Sequence, residues 1–312
     1  MDFSLEVNCC VSTKFQANGS DSSNMAYAVV FGCVLVLGLP LNAVSLWTLI
    51  RHHSLKSSSA VFMINLALSD LLLVISLPMR VYFYATGSWP LGITECMCVI
   101  VLFHNNIRSS SIFITLIAVD RLLAVVYPLR SRHLRTTTNA WKASVFVWLF
   151  VVGVNIPESV DFSKRLNDCN ATTCFHFSDC QLYNQAMAYF QLILLFTMLA
   201  VNVVSTALVS WTLRRHLSDA ARVNNRINVM LVYVINLLMF VIFFMPLSLV
   251  RMIQHDSRPI LAAICLASLN CCVDPLLYYF SLDAFWKKKE EEKEDAEPKR
   301  EMGSKHSVDT MS

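Results

Sequence analysis

Seven long apolar runs are the feature that most restricts what this chain can fold into. Each run can cross the hydrocarbon core of a bilayer as a helix, which takes roughly 20 apolar residues. Only 15% of the 312 residues are charged and 55% are hydrophobic, too few charges to cover a soluble domain. The sequence therefore predicts an all-α membrane protein, a seven-transmembrane helix bundle, with spans at residues 25–50, 59–84, 95–126, 141–158, 184–213, 223–253 and 259–280.

The connections between the runs are short, so we expect one membrane domain with polar flanks. Residues 1–24 form an extracellular amino-terminal segment, 25–280 the helix bundle and 281–312 a cytoplasmic tail. Residues 1–24 lack the apolar core of a signal peptide, so the first span is expected to direct insertion. The net charge of +3 does not favour nucleic acid as a partner. No hydrolase or metalloprotease motif occurs, so we expect no enzyme activity and no obligatory cofactor.

Basic residues predict the orientation of the bundle. Lysine and arginine accumulate on the cytoplasmic side of membrane proteins. Eighteen of them lie on or at the edge of one side and four on the other, so the tail side is predicted to be cytoplasmic. The chain is then a multi-pass plasma-membrane protein with its amino terminus outside. Two glycosylation sequons, at Asn18 and Asn170, fall on the outer side.

Seven of the eleven cysteines lie on or near the predicted outer side, where oxidising conditions favour disulfides. Residue identity alone leaves their connectivity open. They are Cys9, Cys10, Cys96, Cys98, Cys169, Cys174 and Cys180. The four cysteines inside spans are expected to be buried packing residues.

Two acidic residues, Asp70 and Asp274, lie inside spans, where a charge is costly and usually functional. Asn106, Ser110 and Asn270 supply further oxygen atoms at comparable depth. Hard cations prefer oxygen ligands, so these residues predict a small-cation site. The alternative is a hydrogen-bond network that holds no ion.

Three arginines, Arg80, Arg108 and Arg251, lie in the outer halves of spans. Guanidinium groups form paired hydrogen bonds with carboxylate and phosphate, so these residues predict a pocket for an anionic ligand. The alternative is internal salt bridging, for instance to Glu158 or Asp161.

The sixth run carries Phe240, Phe243, Phe244 and Pro246. Proline inside a helix removes a backbone hydrogen bond and kinks the helix, so we expect a kink at Pro246. The kink could serve as a lever or be a feature of packing only.

Taken together, these residues resemble a class A, rhodopsin-like G-protein-coupled receptor from about residue 25 to residue 289. Six motifs in order, each on its own span, carry the resemblance. They are Gly-Leu-Pro-Leu-Asn42, Asn65-Leu-Ala-Leu-Ser-Asp70, Asp120-Arg121-Leu122, Trp148 with Pro157, Phe243-Phe244-Met245-Pro246 and Asp274-Pro275-Leu-Leu-Tyr278. Within the class, the chain is similar to the purinergic-nucleotide and lysophospholipid receptor branch, through Leu77-Pro78-Met79-Arg80, Ser-Trp-Pro-Leu-Gly at 88–92 and Arg251.

The resemblance implies the roles of further residues. Cys96 and Cys174 would form a disulfide, and an allosteric sodium ion would favour the inactive state at the predicted cation site. The ligand would be an extracellular anion, such as a lysophospholipid or a nucleotide, held by Arg80, Arg251 and Arg108. Coupling to a heterotrimeric G protein would depend on residues spread over three helices: Asp120, Arg121, Phe240, Phe244, Pro246, Asp274, Pro275 and Tyr278.

The resemblance also implies a short amphipathic cytoplasmic helix at 281–289 whose lysines suit anionic membrane lipid. Serine and threonine residues beyond it could be phosphorylated and bind arrestin. The chain departs from the family pattern at Met198, Thr206 and Leu122, where the family has proline, tyrosine and an aromatic residue. Two rival interpretations stay open: a proton-sensing receptor using His104, His176 and His255, and a scavenger or decoy receptor that does not signal.

Overall fold

Seven helices account for most of the described chain, as the apolar runs predicted. The computed structural model describes residues 21–51, 57–168, 174–175, 185–216, 223–253 and 257–278. Within those residues, seven helices are long and apolar enough to cross a membrane. They are α1 (Asp21–Arg51), α2 (Ser58–Thr86), α3 (Ile93–Val126), α4 (Thr137–Asp168), α5 (Gln185–His216), α6 (Val223–Met239, Phe240–Phe244 and Met245–Ile253) and α7 (Ser257–Ser268, helical again at 270–278).

Several expectations fall on residues outside the described ranges. They concern both sequons, the short helix at 281–289, the tail, His176, His255 and the cysteines at positions 9, 10, 169 and 180. The predicted division of the chain at residues 24 and 280 also stays a prediction.

The predicted fourth span, 141–158, is shorter than the helix that contains it. Helix α4 runs from Thr137 to Asp168 and so continues about three turns past the apolar run. A helix satisfies its backbone hydrogen bonds internally, so it can project beyond the bilayer once its side chains become polar. Hydropathy therefore located the span but not the ends of the helix.

Helices α2 and α3 form the centre of the bundle. In the membrane-spanning part of α2, 78% of the residues are buried, compared with 22% in α1 and in α4. Helix α2 contacts α1, α3 and α4, whereas α3 contacts α4, α5 and α6 as well. Polar residues on α2 and α3 are consequently enclosed by protein.

Helix α2 ends at Gly87, whose φ of 68° lies in the left-handed region that glycine tolerates. The Gly87 N–H donates to the carbonyl of Phe83 at 2.8 Å and closes the last turn.

The irregularity expected at Pro246 takes the form of a π-helical turn at Phe240–Phe244, directly before the proline. Proline cannot donate to the carbonyl four residues earlier and its ring collides with that carbonyl, so the preceding turn widens. Phe240 and Phe244 are both buried, and their rings meet edge to face at 5.6 Å. The π turn divides α6 into a cytoplasmic arm and an outer arm.

A disulfide joins Cys96, in the first turn of α3, to Cys174 in the segment between α4 and α5. The pairing implied by the family resemblance is therefore confirmed. Among the cysteines inside spans, Cys265 and Cys271 are buried as expected, whereas Cys33 is exposed on the outer surface of the helices.

Helix α1 is held against α2 and α7 by a close approach at Gly38 and by Asn42. The side-chain amide of Asn42 donates to the carbonyl of Gly38 at 3.0 Å and to that of Cys271 at 2.7 Å. A Cβ on Gly38 would meet the Cys271 sulfur at 3.0 Å and a methyl group of Val74 at 3.1 Å. The absence of a side chain at Gly38 is thus what lets the three helices meet.

Gly38→Val is expected to destabilise the protein by about 1–3 kcal/mol, because the added atoms overfill a packed contact. The measurement is the thermal unfolding midpoint of the purified protein in detergent. Gly32→Val is the matched control, since a Cβ on Gly32 would meet nothing within 4 Å. Equal losses in the two variants would contradict the expectation.

Candidate functional site

Arg80 lies in an aromatic enclosure in the outer half of the bundle. Its guanidinium carbon is 4.6 Å from the ring centre of Phe175, 4.9 Å from that of Phe103 and 5.9 Å from that of Phe31. Such contacts stabilise a cation through the negative faces of the rings. Arg80 is 2% exposed, and its Nε and Nη1 have no hydrogen-bond partner among the described residues. A buried guanidinium with unsatisfied N–H donors is suited to receive an anion.

Phe175 is a member of this enclosure that sequence reasoning missed. It follows Cys174 directly, so the disulfide fixes where its ring can lie. That ring also meets Phe83 at 5.4 Å and Trp89 at 5.5 Å. Its position next to a disulfide cysteine was the signal available in the sequence.

Arg251 reaches the same part of α3 from the outer arm of α6. Its Nη2 lies 2.7 Å from Nε2 of His104. A guanidinium only donates, so this ring nitrogen accepts and the proton of a neutral imidazole sits on Nδ1. His104 adjoins Phe103, which contacts Arg80, and the Phe103 and His104 rings are 5.7 Å apart. The structure therefore brings Arg80 and Arg251 to two consecutive residues of one helix.

Arg108 lies one turn deeper on α3 and is paired internally. Its Nη2 donates to Oε2 of Glu158 at 2.5 Å, its Nε donates to Gln191 at 2.9 Å, and its Nη1 donates to Asn155. The ion pair with Glu158, which is the alternative to ligand contact, is thus present. The side chain of Asp161, the other acid considered, lies outside the described part of the chain. Direct contact of Arg108 with a ligand stays a prediction.

Glu158 also faces His104, since its Oε1 lies 3.9 Å from Nδ1 of that ring. A line of charged and polar groups consequently runs from Arg251 on α6 through His104 to Glu158 and Arg108. It links four helices, because Gln191 of α5 is the last member.

The residues of the predicted cation site are all buried. Oδ1 of Asp70 accepts hydrogen bonds from the Asn106 amide at 2.9 Å and the Ser110 hydroxyl at 3.4 Å. The carboxyl groups of Asp70 and Asp274 lie close enough to interact. Two adjacent buried carboxylates repel each other, so a proton or a cation is needed between them.

Oxygen atoms remain available around this pair of acids. Within the described residues, the oxygens without a hydrogen-bond partner are Oδ2 of Asp70, both carboxyl oxygens of Asp274, and Oδ1 of Asn106 and of Asn270. An oxygen-rich set of this kind fits a hard cation. No group of three or more His, Cys, Asp or Glu side chains that could hold a metal ion occurs in the described ranges, so amide and hydroxyl oxygens would have to complete the set.

At the cytoplasmic end, Asp120 pairs with residues from outside its own helix. Its carboxylate accepts two hydrogen bonds from Arg135, at 3.1 and 3.3 Å, and one from the Ser58 hydroxyl at 2.5 Å. The neighbouring Arg121 has a buried Nε that makes no hydrogen bond within the described residues. Asp120 therefore joins α3 to α2 and to the following loop, and leaves Arg121 to other partners.

Tyr233 is a second residue that sequence reasoning missed. It lies on the cytoplasmic arm of α6 and donates from its hydroxyl to the carbonyl of Ala118 on α3 at 3.0 Å. The ring is buried against Val209 and Leu213 of α5. Thr206, which takes the place of the family's tyrosine on α5, instead bonds within its own helix to Asn202. A hydroxyl-bearing aromatic residue inside an apolar run was the available signal.

The motif residues of the other helices lie where the bundle is most enclosed. Trp148 donates to the side-chain oxygen of Asn65 at 2.9 Å and so ties α4 to α2. Tyr278 is 2% exposed, one turn after Asp274. Pro275 lies between them in the helical part of α7, and Pro157 lies inside α4.

Residues 41–278 match the family model described as 7 transmembrane receptor (rhodopsin family). Among similar proteins, lysophosphatidic acid receptor 6 of Mus musculus is 32% identical over 278 residues, covering 82% of this chain and 80% of the relative. Lysophosphatidic acid receptor 5 of Bos taurus is 34% identical, covering 83% and 76%. Purinoceptor 8 of Gallus gallus is 30% identical, covering 83% and 77%. Like these relatives, the chain belongs to the rhodopsin family of seven-transmembrane receptors, and that family consists of receptors rather than enzymes.

Proposed function

We propose that this receptor binds an extracellular anionic ligand of the lysophospholipid or nucleotide type and signals through a heterotrimeric G protein. The observation that carries the proposal is Arg80, a buried guanidinium with unsatisfied donors beside Arg251. Relatives named as lysophosphatidic acid receptors and as a purinoceptor support this ligand class. Their names give no support to the proton-sensing or scavenger interpretations.

In the proposed mechanism, the anionic group of the ligand pairs with Arg80 of α2 and Arg251 of α6. Charge-assisted hydrogen bonds of this kind are roughly twice as strong as neutral ones. A ligand shifts a conformational equilibrium only if it binds one state more tightly. Arg251 lies on the outer arm of α6, so the ligand is expected to favour the state in which that arm is drawn toward α2.

The π turn and Pro246 would carry this displacement to the cytoplasmic arm of α6. Outward movement of that arm must break the hydrogen bond between Tyr233 and the carbonyl of Ala118. It would uncover Arg121, and the G protein would bind there. Arrestin and anionic lipid are further proposed partners, through the tail.

Replacing either arginine of the pocket with glutamine should raise the half-maximal ligand concentration by about tenfold or more, since each removes a charge-assisted pair. The measurement is the dose–response of a G-protein sensor to whichever of lysophosphatidic acid and adenosine or uridine nucleotides activates the unaltered chain. Surface expression is measured in parallel. The matched control is Lys164→Gln, because Lys164 is an exposed cation near the outer end of α4. Potencies that match the control for both Arg80→Gln and Arg251→Gln would contradict the pocket.

The amino terminus is proposed to lie outside the cell. The excess of basic residues on the tail side supports this orientation. The Cys96–Cys174 disulfide supports it as well, because disulfides persist in oxidising compartments and this bond lies at the start of α3. Helices α1 and α3 run in the same direction, so the start of α1 shares that side.

An epitope tag placed before residue 1 should be stained by antibody on intact cells, whereas a tag after residue 312 should require permeabilised membranes. Flow cytometry with and without detergent measures both. Staining of the carboxy-terminal tag on intact cells would reverse the orientation.

We propose further that sodium binds at Asp70, Asn106, Ser110, Asn270 and Asp274. The buried oxygens around the two acids support the proposal, and a bound cation would neutralise the two carboxylates. Such an ion favours the arrangement in which α2, α3 and α7 keep these oxygens together, and so the inactive state.

Replacing sodium with choline at constant ionic strength should then raise the affinity of the activating ligand. Asp70→Asn should abolish this response, because it removes a charge that the cation needs. Competition binding on membranes gives both values. A sodium effect of equal size in Asp70→Asn would overturn the assignment, and Glu95→Gln serves as the control for loss of an exposed acid.

A further inference from the structure

The outer half of the bundle holds a carboxylate beside the proposed anion pocket, which is unexpected for a site that attracts anions. Glu158 is 13% exposed and reaches both Arg108 and His104. The charges of Arg80, Arg108, Arg251 and Glu158 all act on the His104 ring. Glu158 is therefore part of the electrostatic environment that a ligand at Arg80 and Arg251 experiences.

The first effect of Glu158 is to withhold Arg108 from the pocket. Arg108 is 2% exposed, and its side chain donates on three sides to Glu158, Asn155 and Gln191. Turning toward a ligand would break these bonds and leave the carboxylate of Glu158 without its cation. Removing one partner of a buried ion pair leaves an uncompensated charge in a low-dielectric interior, so this rearrangement is strongly opposed.

The second effect is on the charge of the pocket. Glu158 cancels the charge of Arg108, so the outer cluster is less positive by one charge than its three arginines alone would make it. Each additional negative charge on a ligand is repelled by this carboxylate and finds no third guanidinium. Proteins achieve specificity by such repulsive elements as well as by attraction.

We propose that Glu158 is a specificity-determining residue that restricts the pocket to ligands with a single phosphate monoester. It does so by holding Arg108 in an internal ion pair and by repelling di- and triphosphates. This inference rests on the proposed function of the Arg80 and Arg251 pocket. It assigns Arg108 to selection through Glu158 and not to direct ligand contact.

The test compares two probes with the same tail, dodecyl monophosphate and dodecyl diphosphate, and a second pair, adenosine monophosphate and adenosine triphosphate. The full-length receptor is assayed in nanodiscs for probe-induced thermal stabilisation and in cells for G-protein activation. Glu158→Gln preserves the shape of the side chain and removes its charge. The variant is expected to gain about tenfold in preference for the more highly charged probe of each pair, a change of about 1.4 kcal/mol.

The double variant Arg108→Gln/Glu158→Gln is the matched control, because it removes both charges and keeps the net charge of the cluster. It should return to the preference of the unaltered chain. A purely structural role for the ion pair predicts instead that both variants lose response to all probes equally. That result would overturn the inference, as would an unchanged preference in Glu158→Gln.

Failure of the underlying function gives a different result. If neither member of either pair stabilises or activates the unaltered receptor, the anionic pocket itself is wrong and the inference falls with it. If the unaltered receptor responds and only the preference of Glu158→Gln is unchanged, the pocket stands and the role of Glu158 is wrong. Should Glu158→Gln fail to reach the cell surface, Glu158→Asp is used, which keeps the charge and should keep the preference of the unaltered chain.

Discussion

Hydrocarbon offers no hydrogen bonds, so each polar side chain in a membrane-spanning helix has to find its partner inside the protein. In this receptor the constraint is met across helices. Asn42 reaches the backbone of α7, Trp148 reaches Asn65, and Asn202 of α5 donates to Thr115 of α3. These bonds fix which faces of the helices turn inward. Packing alone would specify the rotation of an apolar helix less strictly, because lipid tails are as apolar as leucine.

The places where the constraint is not met internally are informative. Within the described residues, buried groups without partners cluster around Arg80 in the outer half, and around Asp70 and Asp274 at the middle. Arg121, at the cytoplasmic end, has a further such group. Unsatisfied groups persist in folded proteins mainly where a function needs them. The three levels correspond to the proposed ligand pocket, cation site and G-protein surface.

Helix α3 connects these levels. His104 faces the pocket, Asn106 and Ser110 face the two acids, and Ala118 and Asp120 accept bonds at the cytoplasmic end. The helix contacts α2, α4, α5 and α6 along its length. A change in any one partner therefore acts on a helix that the other levels share, which gives the ligand a physical route to the cytoplasmic surface.

The arginines illustrate how far prediction could reach. Their depth in apolar runs was sufficient to place them in the interior, because a guanidinium facing lipid is too costly. Whether each would meet a ligand or an internal acid could not be decided. The partners of Arg108 come from α4 and α5, 47 to 83 residues away in sequence. Tyr233 was overlooked for the same reason, since its acceptor is a backbone carbonyl of α3.

The amino-acid sequence by itself determined the number of spans, their orientation through the distribution of basic residues, and the motifs that identify the family. These follow from hydropathy and charge, which act on each segment independently of its neighbours. The tertiary structure decided which polar groups pair, where α4 ends, that α6 widens before Pro246, and that Phe175 covers Arg80. Those features depend on contacts between helices that are distant in sequence, and no local property of a segment specifies them.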